Sequence, residues 1–405
     1  MFTAEEFEEA RGIVREAMLP TPQYVWPLLR DEFGAEVWVK HENHTPIGAF
    51  KVRGGLVHMR RRRERGETNG VISATRGNHG QSLPFAGARE GIPVTIVVPH
   101  GNSVEKNAAM RALGAELIEE GSDFDEAKAA AERIAGERGL DMVPSFHREL
   151  VLGVSTYARE LFDAAGALDT VYVPIGLGSG ICGTIAMRDM LGLATSIVGV
   201  VAEGAPGYAL SFADGRVVGS DSVDTFADGI AVRVPDPDAL EIVRKGADRI
   251  VTVSDDDIAD AIRLYYRTTH NLAEGAGAAA LAGLVKERRV MASKRVGIIL
   301  SGGISTWGCS ARSSRAGIDR PGPQARHLQK LRQCVYHRAC EQLRLEAERK
   351  AVGGRDTPCA CGRVFPGRSG FRCLRSFEEP HLGLSARART RLCAGAPTLI
   401  REGKA

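Results

Sequence analysis

The run VWVKHENHTPIGAFKVRGG, residues 37–55, places two lysines eleven positions apart in a strand–turn–helix pattern. VWVKH has the β-branched and aromatic content of a strand, TPIG is a turn, and AFKVRGGLVHMRRRRE opens a helix. Lys40 falls at the strand end, where an ammonium is ordinarily a solvated cation. Lys51 falls in the first turn of the helix, where the positive end of the helix dipole disfavours a second positive charge. A lysine with a depressed pKa is what Schiff-base chemistry uses. What either lysine does depends on what the rest of the chain brings to it.

Outward from this run, residues 35–300 alternate short β-branched segments with helical patterns. AEVWVKHE, GVISA, VTIVVP, AELIEE, TVYVPI, SIVGVVAE and VGIILSGG read as strands, and segments such as DEAKAAAERIAGERG and DDDIADAIRLYYRTTH read as helices between them. Strands separated by helices predict parallel sheets covered on both faces, with ligands bound beyond the carboxyl ends of the strands. Three further strand ends carry unusual chemistry. In VISATRGNHGQS, Ser73 to Gly80 offers hydroxyls, an amide and backbone N–H groups at a helix start, a pattern that suits an anion as well as a simple cap. In TVYVPIGLGSGICGT, Gly176, Gly178 and Gly180 let successive N–H groups approach a phosphate closely. No GxxxxGK[ST] is present, which argues against a nucleoside triphosphate. VGIILSGG ends a buried strand in Ser301, whose hydroxyl can meet one ligand atom.

At 405 residues the chain exceeds the usual size of one domain, and its 43% hydrophobic and 25% charged content is that of a globular protein. No apolar run reaches the ~20 residues that span a bilayer. The acidic, amphipathic start, MFTAEEFEEARG, lacks the pattern of a secretory signal and leads to a cytoplasmic expectation. The charge is divided: residues 1–304 carry 33 basic and 42 acidic side chains, whereas residues 305–405 carry 20 and 8. Seven of the eight cysteines also lie beyond residue 304, so the body has no disulfide framework.

Taken together and in order, the four motifs resemble the fold type II enzymes that depend on pyridoxal phosphate, nearest to the serine/threonine dehydratases. That threonine and hydroxy-amino-acid ammonia-lyase group also holds serine racemases. The resemblance covers about residues 15–303 and implies an α/β protein with two open, mostly parallel sheet domains of the tryptophan synthase β-like kind. Residues 1–53 with 153–304 would form a large cofactor-binding domain, and 54–152 a small one. The pattern K-x-E-x-x-x-x-x-G-S-F-K-x-R-G-A reads here Lys40-His-Glu42 to Gly48-Ala49-Phe50-Lys51-Val-Arg53-Gly54-Gly55. It implies Lys51 as the Schiff-base lysine, Phe50 beside the cofactor, and Lys40 outside the chemistry. The S-x-G-N-H-[AG]-Q loop is matched by Thr75 to Gln81. It implies that Asn78 meets the cofactor's ring oxygen and that Ser73, Thr75, Arg76, Gly77 and His79 hold the substrate carboxylate. Gly176, Leu177, Gly178, Ser179 and Gly180 match the phosphate loop, and Ser301 matches the partner of the pyridine nitrogen.

Arg76 departs from the pattern: racemases place a serine there as a second acid/base, and an arginine stays protonated at any working pH. Racemisation is thereby disfavoured, and a second anionic group on the substrate becomes admissible. Glu203 is retained from the divalent-cation site of some relatives but its aspartate partner is not, so no metal is expected. The implied activity is elimination of water from a 3-hydroxy amino acid of the threonine/serine class, giving a 2-oxo acid and ammonia, in a homodimer without nucleic-acid or membrane partners. A β-replacement or racemase relative is the alternative. Beyond Gly303 the family pattern stops, Ile304 standing where asparagine is usual. The Arg/Cys-rich segment 305–405 is expected to be disordered or foreign to the family. Its other readings are a basic polyanion-binding tail on a catalytically impaired homologue, or a small metal module of Cys334, His337, Cys340, Cys359, Cys361 and Cys373.

Overall fold

A computed structural model describes residues 1–220 and 223–303. The expectations for residues 305–405 lie outside the described residues. Ten strands among the described residues form two sheets. The larger contains β1 (Gln23–Val25), β2 (Glu36–His41), β7 (Thr170–Pro174), β8 (Ser196–Ala202), β9 (Arg249–Val253) and β10 (Arg295–Leu300), in the order β1-β2-β10-β7-β8-β9. The smaller contains β3 (Val71–Ala74), β4 (Val94–Val98), β5 (Glu116–Glu119) and β6 (Asp141–Met142), in the order β5-β4-β3-β6. Every pairing is parallel except β1 with β2, the short hairpin-like edge. The seven strands expected from the sequence are all present. Every residue of β3, β4 and β7 is buried, which explains why they read as continuous apolar runs rather than alternating ones.

The chain leaves the larger sheet after β2, through helix Lys51–Glu64, and returns to it through helix Arg148–Ala165. These two helices touch backbone to backbone. A Cβ on Gly54 would stand 2.7 Å from the Leu150 carbonyl oxygen, and one on Gly153 2.8 Å from both Gly54 Cα and the Arg53 carbonyl carbon. Gly55 faces Ser82 as closely, and the Ser82 hydroxyl donates to the Lys51 carbonyl at 2.7 Å. The glycine pair that ends the opening run is therefore a packing requirement.

Lys40 corrects the sequence expectation. It is fully buried rather than solvated. Its Nζ donates to Glu160 Oε2 (2.6 Å), Gln23 Oε1 (2.6 Å) and the Thr21 carbonyl (2.9 Å). Arg53, also fully buried, donates to Glu42 at 2.7 and 2.9 Å and to Glu160 at 2.8 and 3.1 Å. Two cations thus face two carboxylates under the helix that starts at Lys51. Both side chains are committed to this network.

Candidate active site

The carboxyl ends of β2, β3, β7 and β10 converge, and named hydrogen bonds join the four motifs there. The Phe50 N–H donates to the Ser301 carbonyl at 3.0 Å, and Ala49 forms an isolated bridge with Gly302. This ties the end of β10 to the turn before Lys51. Lys51 Nζ donates to Ser179 Oγ at 3.1 Å and to the Ser145 carbonyl at 3.5 Å, and lies 5.4 Å from the centroid of the Phe50 ring. No carboxylate pairs with Lys51 among the described residues. Burial without a counter-charge lowers its pKa to about 8, so a usable share of the amine is neutral and nucleophilic near neutrality.

After β7 the chain turns through Gly176, Leu177 and Gly178 into helix Ser179–Met190. Gly178 has φ +101°, and a Cβ there would stand 2.7 Å from the Ala239 Cβ. A Cβ on Gly176 would run into the Gly229 carbonyl oxygen. Gly180 is less restricted, its nearest neighbours being Tyr157 Oη at 3.4 Å and the Phe50 ring at 3.7 Å. The Tyr208 hydroxyl holds the Leu177 carbonyl at 3.0 Å, and the Tyr157 hydroxyl donates to the Gly180 carbonyl at 2.8 Å. These bonds turn carbonyls away and leave N–H groups at the helix start, the arrangement an anion uses.

After β3, Thr75 Oγ1 accepts from the Gly77 N–H at 3.2 Å, and helix Asn78–Glu90 begins. His79 is buried, and its pKa is pushed down to about 3 by burial, with Lys51 and His58 nearby, so the imidazole stays neutral. Ser73 is buried in β3 and its hydroxyl donates to the Val143 carbonyl at 2.7 Å, which commits it to strand packing in this structure. Arg76 is exposed and has no partner among the described residues. Lys106, buried, lies beside Gly77: a Cβ there would stand 3.5 Å from its Nζ, which pairs with Asp228 at 2.9 Å.

Sequence reasoning missed Lys106, Asp228 and Glu274. The Glu274 carboxylate accepts from Asn78 Nδ2 at 2.7 Å, and burial holds it above the usual carboxylate range. The only signal was an acid directly before the small-residue helix Gly275–Lys286, in LAEGAGAAALAG. Glu203, expected to be without a metal partner, is paired at 3.2 Å with Lys286, whose ammonium also reaches the Thr252 carbonyl and Asp257.

Residues 14–302 match the model of a family described as pyridoxal-phosphate dependent enzymes. The chain belongs to that family. Its pyridoxal phosphate fits the residues present: Lys51 is an amine without an acid, the 176–180 turn is a cradle that side chains would fill, and Asn78 Oδ1 is buried without a partner among the described residues. An L-threonine ammonia-lyase of Thermotoga maritima is 34% identical over 304 residues, 75% of this chain and 76% of that protein. An L-threo-3-hydroxyaspartate ammonia-lyase of Saccharomyces cerevisiae is 29% identical over 73% of this chain and 91% of its own. Among solved structures, the processed form of threonine deaminase isoform 2 from Solanum lycopersicum has a TM-score of 0.73 at 28% identity, covering 78% of this chain and 95% of that one. Both the α/β fold with parallel-rich sheets and the cofactor expected from the sequence are thus those of this family.

Proposed function

We propose that this member of the family eliminates water from a 3-hydroxy amino acid of the threonine class, releasing a 2-oxo acid and ammonia. The observation that carries it is the junction of Lys51 with Ser179 at 3.1 Å, which puts a low-pKa amine against the glycine cradle. Bound through Lys51, with its phosphate at 176–180, pyridoxal phosphate supplies an electron sink for the substrate's Cα. Once the substrate's amine has replaced it on the cofactor, the freed Lys51 Nζ takes the Cα proton, and Ser179 Oγ keeps that nitrogen in place. The Thr75–His79 turn, with the N–H groups of helix Asn78–Glu90, holds the substrate carboxylate and orients the Cα–H bond. Phe50 excludes water beside the amine. Ser301 would meet the ring nitrogen as a neutral partner. Arg76, at the position where racemases carry a second acid/base, stays protonated, which favours elimination over racemisation.

Replacing Lys51 with Ala tests this. The expected result is loss of the visible absorbance of the lysine-bound cofactor and of 2-oxo acid release from threonine and serine. A variant that keeps the wild-type rate refutes the assignment, and efficient β-replacement with little 2-oxo acid would favour that alternative. A second reading, 3-hydroxyaspartate as substrate, is favoured by one observation: Arg76 is exposed and without an acid, next to the turn that would hold the first carboxylate. Comparing turnover of threonine and 3-hydroxyaspartate in Arg76→Ser decides between them.

The separate sheets support dividing the chain into 1–53 with 153–304 and 54–152. A cytoplasmic homodimer is part of the same proposal. No helix among the described residues is long and apolar enough to cross a membrane, and the exposed Leu19, Tyr24 and Leu28 suit self-association, which sedimentation measures.

A further inference from the structure

Glu274 belongs to none of the four motifs, yet it touches two of them. It is the residue before helix Gly275–Lys286 and is 6% exposed. Its backbone N–H donates to the Gly302 carbonyl at 3.1 Å, immediately after Ser301. A Cβ on Gly302 would run into its carboxylate, with Cδ at 3.0 Å, and one on Gly229 would stand 3.9 Å from Oε1. Its carboxylate accepts from Asn78 at the start of the helix that follows β3.

An acid in this position is ordinarily a helix cap, since the dipole favours a negative charge there and the side chain satisfies a free N–H. Glu274 makes no such bond. Its side chain turns away from its own helix and spends its hydrogen bond on a neutral amide. The charged groups that influence it are Lys106 and Asp228, themselves paired at 2.9 Å; the lysine stabilises the carboxylate, the aspartate opposes it, and burial outweighs both. Burying a carboxylate without an ion pair is costly, so a bland packing role leaves the choice of residue unexplained.

The consequence lies in Asn78. Its amide has two N–H donors and one acceptor, and rotation could present either edge to a ligand. The Glu274 Oε1 accepts, so it takes the amide by its Nδ2 edge. The remaining atom, Oδ1, is buried without a partner among the described residues.

We propose that Glu274 is a positioning residue for the cofactor site: it grips Asn78 by Nδ2 and so fixes which polar edge Asn78 turns to pyridoxal phosphate. This rests on the assignment of the site to that cofactor. Glutamine at 274 keeps the size but can donate as well as accept, so it no longer selects an orientation.

The test uses full-length protein stripped of cofactor and titrated with pyridoxal phosphate, following the visible absorbance. The variants are Glu274→Gln, Glu274→Ala, Asn78→Ala and the double Glu274→Ala/Asn78→Ala. Circular dichroism establishes folding, and Glu274→Gln decides the matter if the alanine variants do not fold. The expected result is a displaced absorbance maximum and about tenfold weaker cofactor binding in Glu274→Gln, with the double variant no weaker than Asn78→Ala. Wild-type affinity and spectrum in Glu274→Gln overturn the proposal, as do effects of the two alanine substitutions that simply add. A wild-type protein that binds no pyridoxal phosphate instead overturns the site assignment on which the proposal stands.

Discussion

Replacing Lys40 with Met should destabilise the protein without touching its chemistry. The substitution keeps most of the buried stem and removes an ammonium that donates three hydrogen bonds, to Glu160, Gln23 and the Thr21 carbonyl. Arg53 is then left with both Glu42 and Glu160, helped only by the more distant Arg15 at 3.7 Å from Glu160. Breaking a buried ion pair from one side costs about 3–5 kcal/mol. Unfolding entropy of about 2 cal/mol/K per residue over roughly 300 folded residues makes each kcal/mol equal to about 1.6 °C. The apparent melting temperature should therefore fall by about 5–8 °C, read by circular dichroism at a fixed scan rate. The double variant Lys40→Met/Glu160→Gln restores the balance of one cation to one anion, and should cost less than the sum of its parts. Cofactor absorbance and turnover at low temperature should match wild type. A melting temperature within a degree of wild type would show the network to be weakly coupled to folding. A normally stable variant without turnover would return Lys40 to the chemistry.

Gly153→Ala forces a methyl group between two backbones and should cost about 3 kcal/mol or more, visible as a lowered midpoint in urea. Stripped of cofactor, the protein should recombine with pyridoxal phosphate faster as pH rises through about 8, because the neutral amine of Lys51 is the nucleophile and its share grows until it is fully deprotonated. Stopped-flow absorbance measures this, and a rate that falls over pH 7–9 contradicts it. Chelation of divalent cations should leave turnover unchanged, because the Lys286 ammonium already pairs with Glu203 and Asp257; loss of rate reversed by added magnesium would show otherwise.

The motif-bearing strands were legible because they are buried on both faces and read as apolar runs bounded by glycine-rich turns. β1 and β6 were not, being only three and two residues long, and the β-branched run of β9, RIVTV, was passed over because it leads into no unusual motif. Lys51, Asn78 and Ser301 could be singled out because local pattern places each at a strand end or helix start. Lys40 was misjudged for the opposite reason. Its environment is made by Glu160, 120 positions away on another helix, and nothing in VWVKHEN encodes that partner. Glu274 was invisible on the same ground, since its meaning comes from Asn78, 196 positions earlier.

The contact of Gly54 with Gly153 has a mechanical consequence. Both passages of the chain between the two sheets run through it, so they form one pivot rather than two independent hinges. The two passages are therefore fixed to each other at that point. Lys51 is a single helical turn from that contact, on the same helix. The Lys106–Asp228 and Asn78–Glu274 pairs, each spanning the cleft between elements of the two sheets, act as a latch.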